Sequence, residues 1–422
     1  MILMLRSLVL LVFIFSIWPA SADRLQRELP DLLDLPAIVN PRSLHSLLLD
    51  ITLAGNRLVA VGEKGHILYS DNQGTDWKQA QVPVQVTLTA THFPTPKLGW
   101  AVGHDGVILH SNDGGETWYK QLDGHQTGSL MALAAKNRVA QLAEAIAQGR
   151  ENGRDINALV EARDNAEMAL EEAQTEIADG PNRPFLDVWF HSDQVGYASG
   201  AFGYLFRTTD GGENWQDISL QINNPERLHL YSIQGWDDGT LMVVGEFGLA
   251  QRSEDAGDSW EVVNLGYEGT LFSVRRGLDP NGAFIVGLRS NSFYSDDRGR
   301  SWQPQALPQG PSLLGLDSSG NRAVMVGLAG IIVELRPDNT DYRYLSRGNR
   351  VNLSSVAVVD DRLMIAVGEV GVLRLSTNGE ALSVTYLSKD SEFNKEKFPQ
   401  IGVSTADSAI AHQNEKYTGE GV

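Results

Sequence analysis

The sequence predicts an all-β chain, a seven-bladed β-propeller with an inserted α-helical hairpin, and three observations carry that reading. A turn of the form V-G-x-x-G recurs seven times with variations, each time followed by a short apolar run; its first glycines are Gly62, Gly103, Gly200, Gly245, Gly287, Gly327 and Gly368. In five of the seven a tryptophan stands fifteen residues later, as Trp77, Trp118, Trp215, Trp260 and Trp302, while the last two copies carry Tyr342 and Ser383 there. Each repeat of roughly 40 residues also contains four strand-length runs separated by Gly, Asn and Asp turns, the pattern of an antiparallel meander.

Taken in order, the chain opens with Arg6, an apolar run over 8–18 and the small residues Ala20, Ser21 and Ala22. That is the order of a secretory signal peptide, residues 1–22, with cleavage expected after Ala22. The apolar run is short of the roughly 20 residues a membrane-spanning helix needs. An irregular lead-in over 23–43 precedes the propeller, 44–388. Its first blade runs through 47–53, 58–61, 66–70 and 77–82, and the same phrase returns at 88–122, 186–220, 229–265, 270–306, 312–346 and 353–388. Residues 389–422 are polar and without period and are expected to form a flexible tail.

Successive tryptophans are 41, 97, 45 and 42 residues apart, so one gap is too long and marks an insertion over 127–180. Its composition turns to Ala, Glu, Gln, Arg and Asn. Leu130, Leu133, Val139, Leu142 and Ile146, then Ile156, Leu159, Leu170, Ala173 and Ile177, recur mostly at helical steps. Gly149 and Gly153 separate the halves and Asp155 is a candidate N-cap for the second. Two antiparallel helices of roughly 20 to 25 residues would project roughly 30 to 35 Å.

A chain of 422 residues would ordinarily hold two or three domains, but the period makes most of it one. Lys and Arg number 34 against 53 Asp and Glu, a net charge of -19 that argues against nucleic acid or an anionic lipid surface as the main partner. There is no cysteine, hence no disulfide and no cysteine-linked lipid. With no later segment long and apolar enough to span, the mature chain is expected to be soluble, and periplasmic or secreted.

Between the third and fourth strands the repeat reads S-N-D-G-G-E-T-W over 111–118, and close variants place Asp113, Asp210, Asp255 and Asp297 before their tryptophans; Asn72 substitutes in the first copy. These runs resemble the Asp-box, or bacterial neuraminidase repeat. Their residue types have a structural use without any enzyme: Asp caps backbone N–H groups in a tight turn, Gly takes a positive φ, and Trp packs between sheets. A sialidase would further need an arginine cluster, a Tyr-Glu nucleophile pair and an acidic catalyst, and other glycosidases need two suitably spaced carboxylates. No phosphate loop, H-E-x-x-H or nucleophile elbow is present, so no catalytic residue, cofactor or metal is assigned. His45, His92 and His191 are expected to be structural or solvent-facing.

The turn between second and third strands lies at the opposite end of each blade. It places Glu63, His104, Glu246, Arg289 and Glu369, with Ala201 and Leu328 in the other two blades. In a closed ring these gather on one face near the central channel and form a candidate partner-binding surface. The inserted hairpin emerges on the same face, as do the long connections at 223–229 and 346–350.

The phrase V-G-E-x-G-x-[IL]-x-x-S-x-D-x-G-x-x-W, seen with variations over 61–77 and 244–260, resembles the photosystem II assembly and stability factor family of cyanobacteria and plastids. The resemblance covers roughly 44–388. It implies a seven-bladed propeller acting as a non-catalytic assembly factor, through binding a membrane protein on the lumenal or periplasmic side. The hairpin is outside the family's basic pattern. The expected role is thus a scaffold for a membrane or envelope protein complex, a photosystem component or a transporter; an Asp-box glycoside hydrolase or a carbohydrate-binding protein is the alternative.

Overall fold

Six four-stranded antiparallel sheets and one of five strands make up the described part of the chain, which in this computed structural model is residues 30–335, 342–345 and 350–387. The expected signal peptide, residues 1–22, and the expected tail, 389–422, lie outside it. The chain divides into a short unit, Met1–Asp31, and the unit Leu32–Val422 that holds every sheet. The seven innermost strands are Leu48–Ala54, Leu88–His92, Phe185–Phe190, Leu230–Gly235, Leu271–Arg276, Leu313–Ser319 and Leu353–Asp360. They touch one another in sequence around a full circuit, the seventh returning to the first. The seven-bladed propeller is therefore closed.

Each blade reads outward in chain order, and six of the seven second strands are buried along their whole length because both faces pack against neighbouring blades; that of blade 1 is buried beyond Arg57. Such strands read as continuous apolar runs, as in Val59, Ala60 and Val61 or Val324, Met325 and Val326. The glycine that opens each turn is fixed by close approach: a Cβ on Gly62 would lie 2.2 Å from the Leu47 carbonyl oxygen, and one on Gly327 2.0 Å from that of Ser312. Its backbone is extended in both cases, so the constraint is space and not φ.

The tryptophans fill the joints. Trp77 is fully buried among Leu58 of its own blade and Ile365 and Val367 of the seventh. Trp118 and Trp215, which are buried, and Trp260 and Trp302, which are half-buried, occupy the next joints. Tyr342 takes this place between blades 5 and 6, while Leu345, Met364 and Leu375 fill the joint between blades 6 and 7. The indole N–H groups of Trp77, Trp118, Trp260 and Trp302 donate to Gly74, Gly115, Gly257 and Gly299 at 2.9, 3.0, 3.2 and 3.0 Å. Four Asp-box turns thus hold their own tryptophan, while the indole N–H of Trp215 is buried without a hydrogen-bond partner among the described residues.

Within the box, Asp113 Oδ1 accepts from the Ser111 hydroxyl at 2.8 Å and from the N–H groups of Glu116 and Thr117 at 3.0 Å. The bond from the hydroxyl and that from the N–H four residues on recur at Asp210, Asp255 and Asp297, and Asn72 makes both with its amide oxygen in the first copy. Gly115 and Gly212 sit at φ 89 and 88, conformations glycine adopts without strain.

Closure adds a strand that the repeat did not announce. Thr385–Tyr386, expected as the end of blade 7, pairs in parallel with Asp76–Gln79, the fourth strand of blade 1, and makes that sheet five-stranded. The N–H of Thr385 donates to Thr75 and that of Leu387 to Trp77. Gln81 makes the same link to the neighbourhood of Trp118 in blade 2.

The insertion is a pair of helices, α1 over Gly124–Glu151 and α2 over Asn157–Asp179. It starts three residues before the expected boundary, because Asp123 caps α1 by accepting from His125 N while Gln126 accepts from Asp123 N. At 28 residues α1 is about 42 Å long. Asp155 accepts from Asn157 N but stands one residue before the N-cap, Ile156. Among the described residues no helix is long and apolar enough to cross a membrane.

The Asp-box bonds outweigh the effect of burial on Asp113: burial pushes its carboxyl up, and the hydrogen bonds from Thr117, Ser111 and Glu116 bring it below the usual carboxylate range. Replacing Asp113 by Ala is expected to cost about 1 kcal/mol, the usual loss on removing a cap. Asp113→Asn should cost less than half as much above pH 5, since Asn72 already does this work. The Asp113 contribution is present above the unfolded pKa and is lost as pH falls through the folded one. Denaturant unfolding of the two variants at pH 7 and pH 3 measures all three.

Candidate partner-binding face

The two ends of the propeller are unlike. At one end the Asp-box turns meet the first hairpin of their own blade, as where Gly114 N donates to Lys97 O and Gly211 N to Gln194 O. At the other end each V-G turn abuts the segment that leads into the next blade: Gly65 N donates to Val86 O and Gly248 N to Gly269 O. The hairpin leaves from this second end, where Gly106 lies against Gly124 and Thr127 at the start of α1.

All five turn residues singled out in the sequence are on this face, Glu63, His104, Glu246, Arg289 and Glu369, and none bonds to another. They surround the channel at the radius of the second and third strands, and the channel mouth is lined by first-strand residues instead. Two of the glutamates have structural tasks. Glu246 accepts from His229 N at 2.9 Å and Glu369 from Asn352 N at 3.2 Å, each tying a turn to the residue that begins its own blade. Arg289 stands one position further along its turn than the other four; Leu288 aligns with Glu63 and His104. Arg289, like His104 and Glu369, is exposed.

The foot of the hairpin is anchored to blade 3 by a buried carboxylate. Glu176 on α2 accepts from the Thr127 hydroxyl of α1 at 3.1 Å and from the Tyr204 hydroxyl, and pairs with Arg183 at 2.9 Å. Burial and the adjacent Glu176 raise the Tyr204 hydroxyl, which stays protonated. Arg227 pairs with Glu172 at 3.2 Å, docking the connection between blades 3 and 4 onto α2. A groove of about 330 Å³ lies between that connection and the hairpin, lined by Arg138, Met168, Glu172, Ile222, Pro225 and Arg227.

The channel is built from carboxylates. Asp187 binds Arg275 through both oxygens, at 2.8 and 3.1 Å, and accepts from Ile233 N of blade 4. Asp50 accepts from Thr91 N of blade 2 and Ser355 Oγ of blade 7, and Asp317 from Val358 N of blade 7. Each aspartate therefore fastens its first strand to the next blade. Asp50 and Arg275 line both the wide cavity of about 480 Å³ toward the Asp-box end and a narrow well of about 90 Å³ at the turn end. His92 is in the same wall and accepts from Phe190 N.

Apart from His92, which the sequence marks as structural or solvent-facing and which is bonded in the channel wall, none of these channel residues, nor the aromatic residues Phe202, Phe247, His229, Tyr231 and Phe272 of the turn end, is singled out by the sequence. An acidic residue inside a strand, or an aromatic residue where a turn ordinarily has Gly, Asn or Asp, was the available signal.

Burial pushes Asp50 and Asp317 up to about 6, against Arg275 and their hydrogen bonds. A carboxyl with a raised folded pKa holds its proton more tightly when folded, so its contribution to stability falls as pH rises from about 4 to about 6. Burial and Arg275 lower His92 to about 4, and its contribution rises with pH up to its unfolded value near 6.5. Asp317→Asn keeps an acceptor for Val358 N and removes one of the falling terms. Its melting temperature should therefore climb more steeply than that of the wild type between pH 4 and 6; parallel curves would refute this assignment.

Comparison with known proteins bears on the whole ring. The pattern of the photosynthesis system II assembly factor YCF48 matches residues 44–160 and 166–271, more than half of the chain, and a BNR/Asp-box repeat matches 293–304. A stretch of 48 residues is 42% identical to the chloroplastic photosystem II stability/assembly factor HCF136 of Cyanidioschyzon merolae, and covers 11% of this chain and 11% of that protein. The match thus spans about a tenth of the relative's length. Among solved structures, YCF48 bound to a D1 peptide superposes with a TM-score of 0.53 at 15% identity, covering 81% of this chain and 98% of the other. YCF48 from Cyanidioschyzon merolae gives 0.52 at 13%, covering 78% and 95%. The WD40 propeller of Doa1 gives 0.54 at 10%, covering 81% and 95%, so these likenesses speak for the fold. On the strength of the sequence pattern, this chain belongs to the family of the photosynthesis system II assembly factor YCF48.

Proposed function

We propose that this protein is an exported, non-catalytic assembly factor that holds a segment of a membrane or envelope protein complex against its turn face. The observation that carries this reading is the placement of the hairpin: its foot is locked by Glu176 beside the V-G turns, on the one end of the ring whose residues vary from blade to blade. The channel carboxylates are engaged in fastening one blade to the next, which favours binding over catalysis. A solved relative carries a D1 peptide, and the corresponding occupant here is a peptide segment of a membrane protein, whether a photosystem component or a transporter. Export to the periplasm rests on the Arg6, apolar and A-S-A order of the first 22 residues.

The ends of the insertion meet, a Cβ on Gly124 lying 2.9 Å from Pro181 Cα, so residues 124–180 can be replaced by a short Gly-Ser linker without stretching blade 2 or 3. The excised chain is expected to unfold cooperatively as a propeller and to recover at least tenfold less of the complex from solubilised membranes. Glu63→Lys with Glu246→Gln and Glu369→Gln, in which the glutamines still accept the N–H groups of His229 and Asn352, should reduce recovery while leaving unfolding unchanged. Quantitative mass spectrometry of crosslinked pull-downs reads both; full recovery by the excised chain removes the hairpin from the mechanism.

A further inference from the structure

The second position of the V-G turn is held in the left-handed region in six blades, at Lys64, Asp105, Phe202, Phe247, Arg289 and Ala329, with φ between 50 and 57. Glycine occupies this region freely and Asn and Asp tolerate it, whereas for other residues it costs on the order of 1 kcal/mol. An aromatic residue is the least suited of those present. Yet Phe247 is 71% exposed and Phe202 47% exposed, so at neither position does burial of the ring compensate the backbone. Two adjacent blades, 3 and 4, the first of them beside the hairpin, carry the same costly choice.

The two rings are not isolated. Arg183, from the foot of the hairpin, lies 5.3 Å over the Phe202 ring. From Phe202 the aromatic contacts run inward to His229, then Tyr231, then Phe272, in steps of 4.9, 6.1 and 5.4 Å between ring centres. The Phe202 N–H donates to His229 Nδ1 at 3.1 Å, which fixes the first step. Tyr231 and Phe272 line the narrow well at the channel mouth, whose walls also hold Asp50, Asp187 and Arg275. Two carboxylates face one guanidinium there, and Asp317 lies close enough to act on both Arg275 and Asp50. On the outer side, Phe247 borders a groove of about 340 Å³ with Leu228, Leu249 and Val262, the last 63% exposed. The result is a continuous aromatic track, from the hairpin foot to an acidic well, along an end of the molecule whose flanking Glu246 is also acidic.

We propose that this track seats an extended polypeptide segment of the partner, with apolar or aromatic side chains lying on the rings and a basic side chain directed into the channel mouth. The proposal rests on the assembly-factor reading and specifies what the partner presents. About five residues of extended chain, at roughly 3.3 Å each, cover the three ring-to-ring steps. Aromatic platforms of this kind account for much of the energy in peptide recognition. The charge of the well and of the chain, -19 overall, selects a cationic segment over an acidic one and disfavours an anionic lipid surface as occupant.

The test uses the full chain and an array of ten-residue peptides in which apolar content and net charge vary independently, read by fluorescence anisotropy. Peptides alternating Leu or Phe with Lys are expected to bind at least tenfold more tightly than those with Glu in place of Lys or Ser in place of the apolar residues. The double variant Phe202→Asn and Phe247→Asn, whose asparagines suit the left-handed backbone, should lose at least tenfold in affinity while its melting temperature stays level or rises. That opposite movement separates recognition from folding. Equal binding of acidic peptides, or unchanged affinity of the double variant, overturns the proposal. If the double variant recovers the native complex as well as the wild type does, the track falls and the assembly-factor reading stands; if the wild type recovers no complex, that reading falls whatever the peptides do.

Discussion

Every blade of this ring meets the next through the same kind of joint, and the rest of the molecule depends on it. On the outside of the first five joints an indole from one blade packs against its neighbour; on the inside, at three points, a first-strand carboxylate takes an N–H group from the next blade. A single four-stranded sheet of short strands cannot bury both of its faces, so a blade gains its stability only from the two it touches. The joint therefore sets the size of the ring and the rigidity of its ends. Because the turns at one end are held by contact with the following blade, residues at their tips can be chosen without regard to packing.

Most of this architecture was legible in the sequence because it repeats. The glycine at each V-G turn is demanded by a carbonyl oxygen next to it, and the tryptophan by the joint, so both recur at fixed spacing and the blade count follows. What does not repeat was harder to read. Periodicity starts α1 too late because Gly124, His125 and Gln126 have no apolar pattern, and only the Asp123 and Gln126 side chains mark the boundary. The sequence assigns Thr385–Tyr386 to blade 7, since nothing in two residues tells which sheet they join. Of the candidate face, the turn residues were visible and their common end followed from the blade topology. Their distance from the channel, and the structural duties of Glu246 and Glu369, depend on three-dimensional neighbours such as His229 and Asn352. Phe202 and Phe247 looked like ordinary apolar residues because exposure and backbone strain are not written in one sequence.

The hairpin introduces a different economy. Its two helices pack against each other through small residues, Gly128 lying against Ala173 and Ile177, and it meets the ring through the apolar Met131 and Ala173 and through polar contacts at Glu176, Arg183, Arg227 and Tyr204. A buried carboxylate is poor glue compared with an apolar core of equal size, because its desolvation offsets much of what its partners contribute. It is, however, intolerant of misplacement, since a small rotation of the hairpin would leave the charge without partners. Such an anchor fixes orientation more than it adds stability, which suits an arm that must present a surface at a set angle to the ring.

The strand that closes the ring also orders its construction. Blade 1 is made almost first, yet its outer edge is completed by Thr385–Tyr386, so through most of synthesis that edge has open backbone groups. A ribosome-borne or prematurely ended chain can form every other joint and still lack this one. The last seam thus works as a proof of completeness: only a chain that has been made through its seventh blade can shield the outer edge of its first.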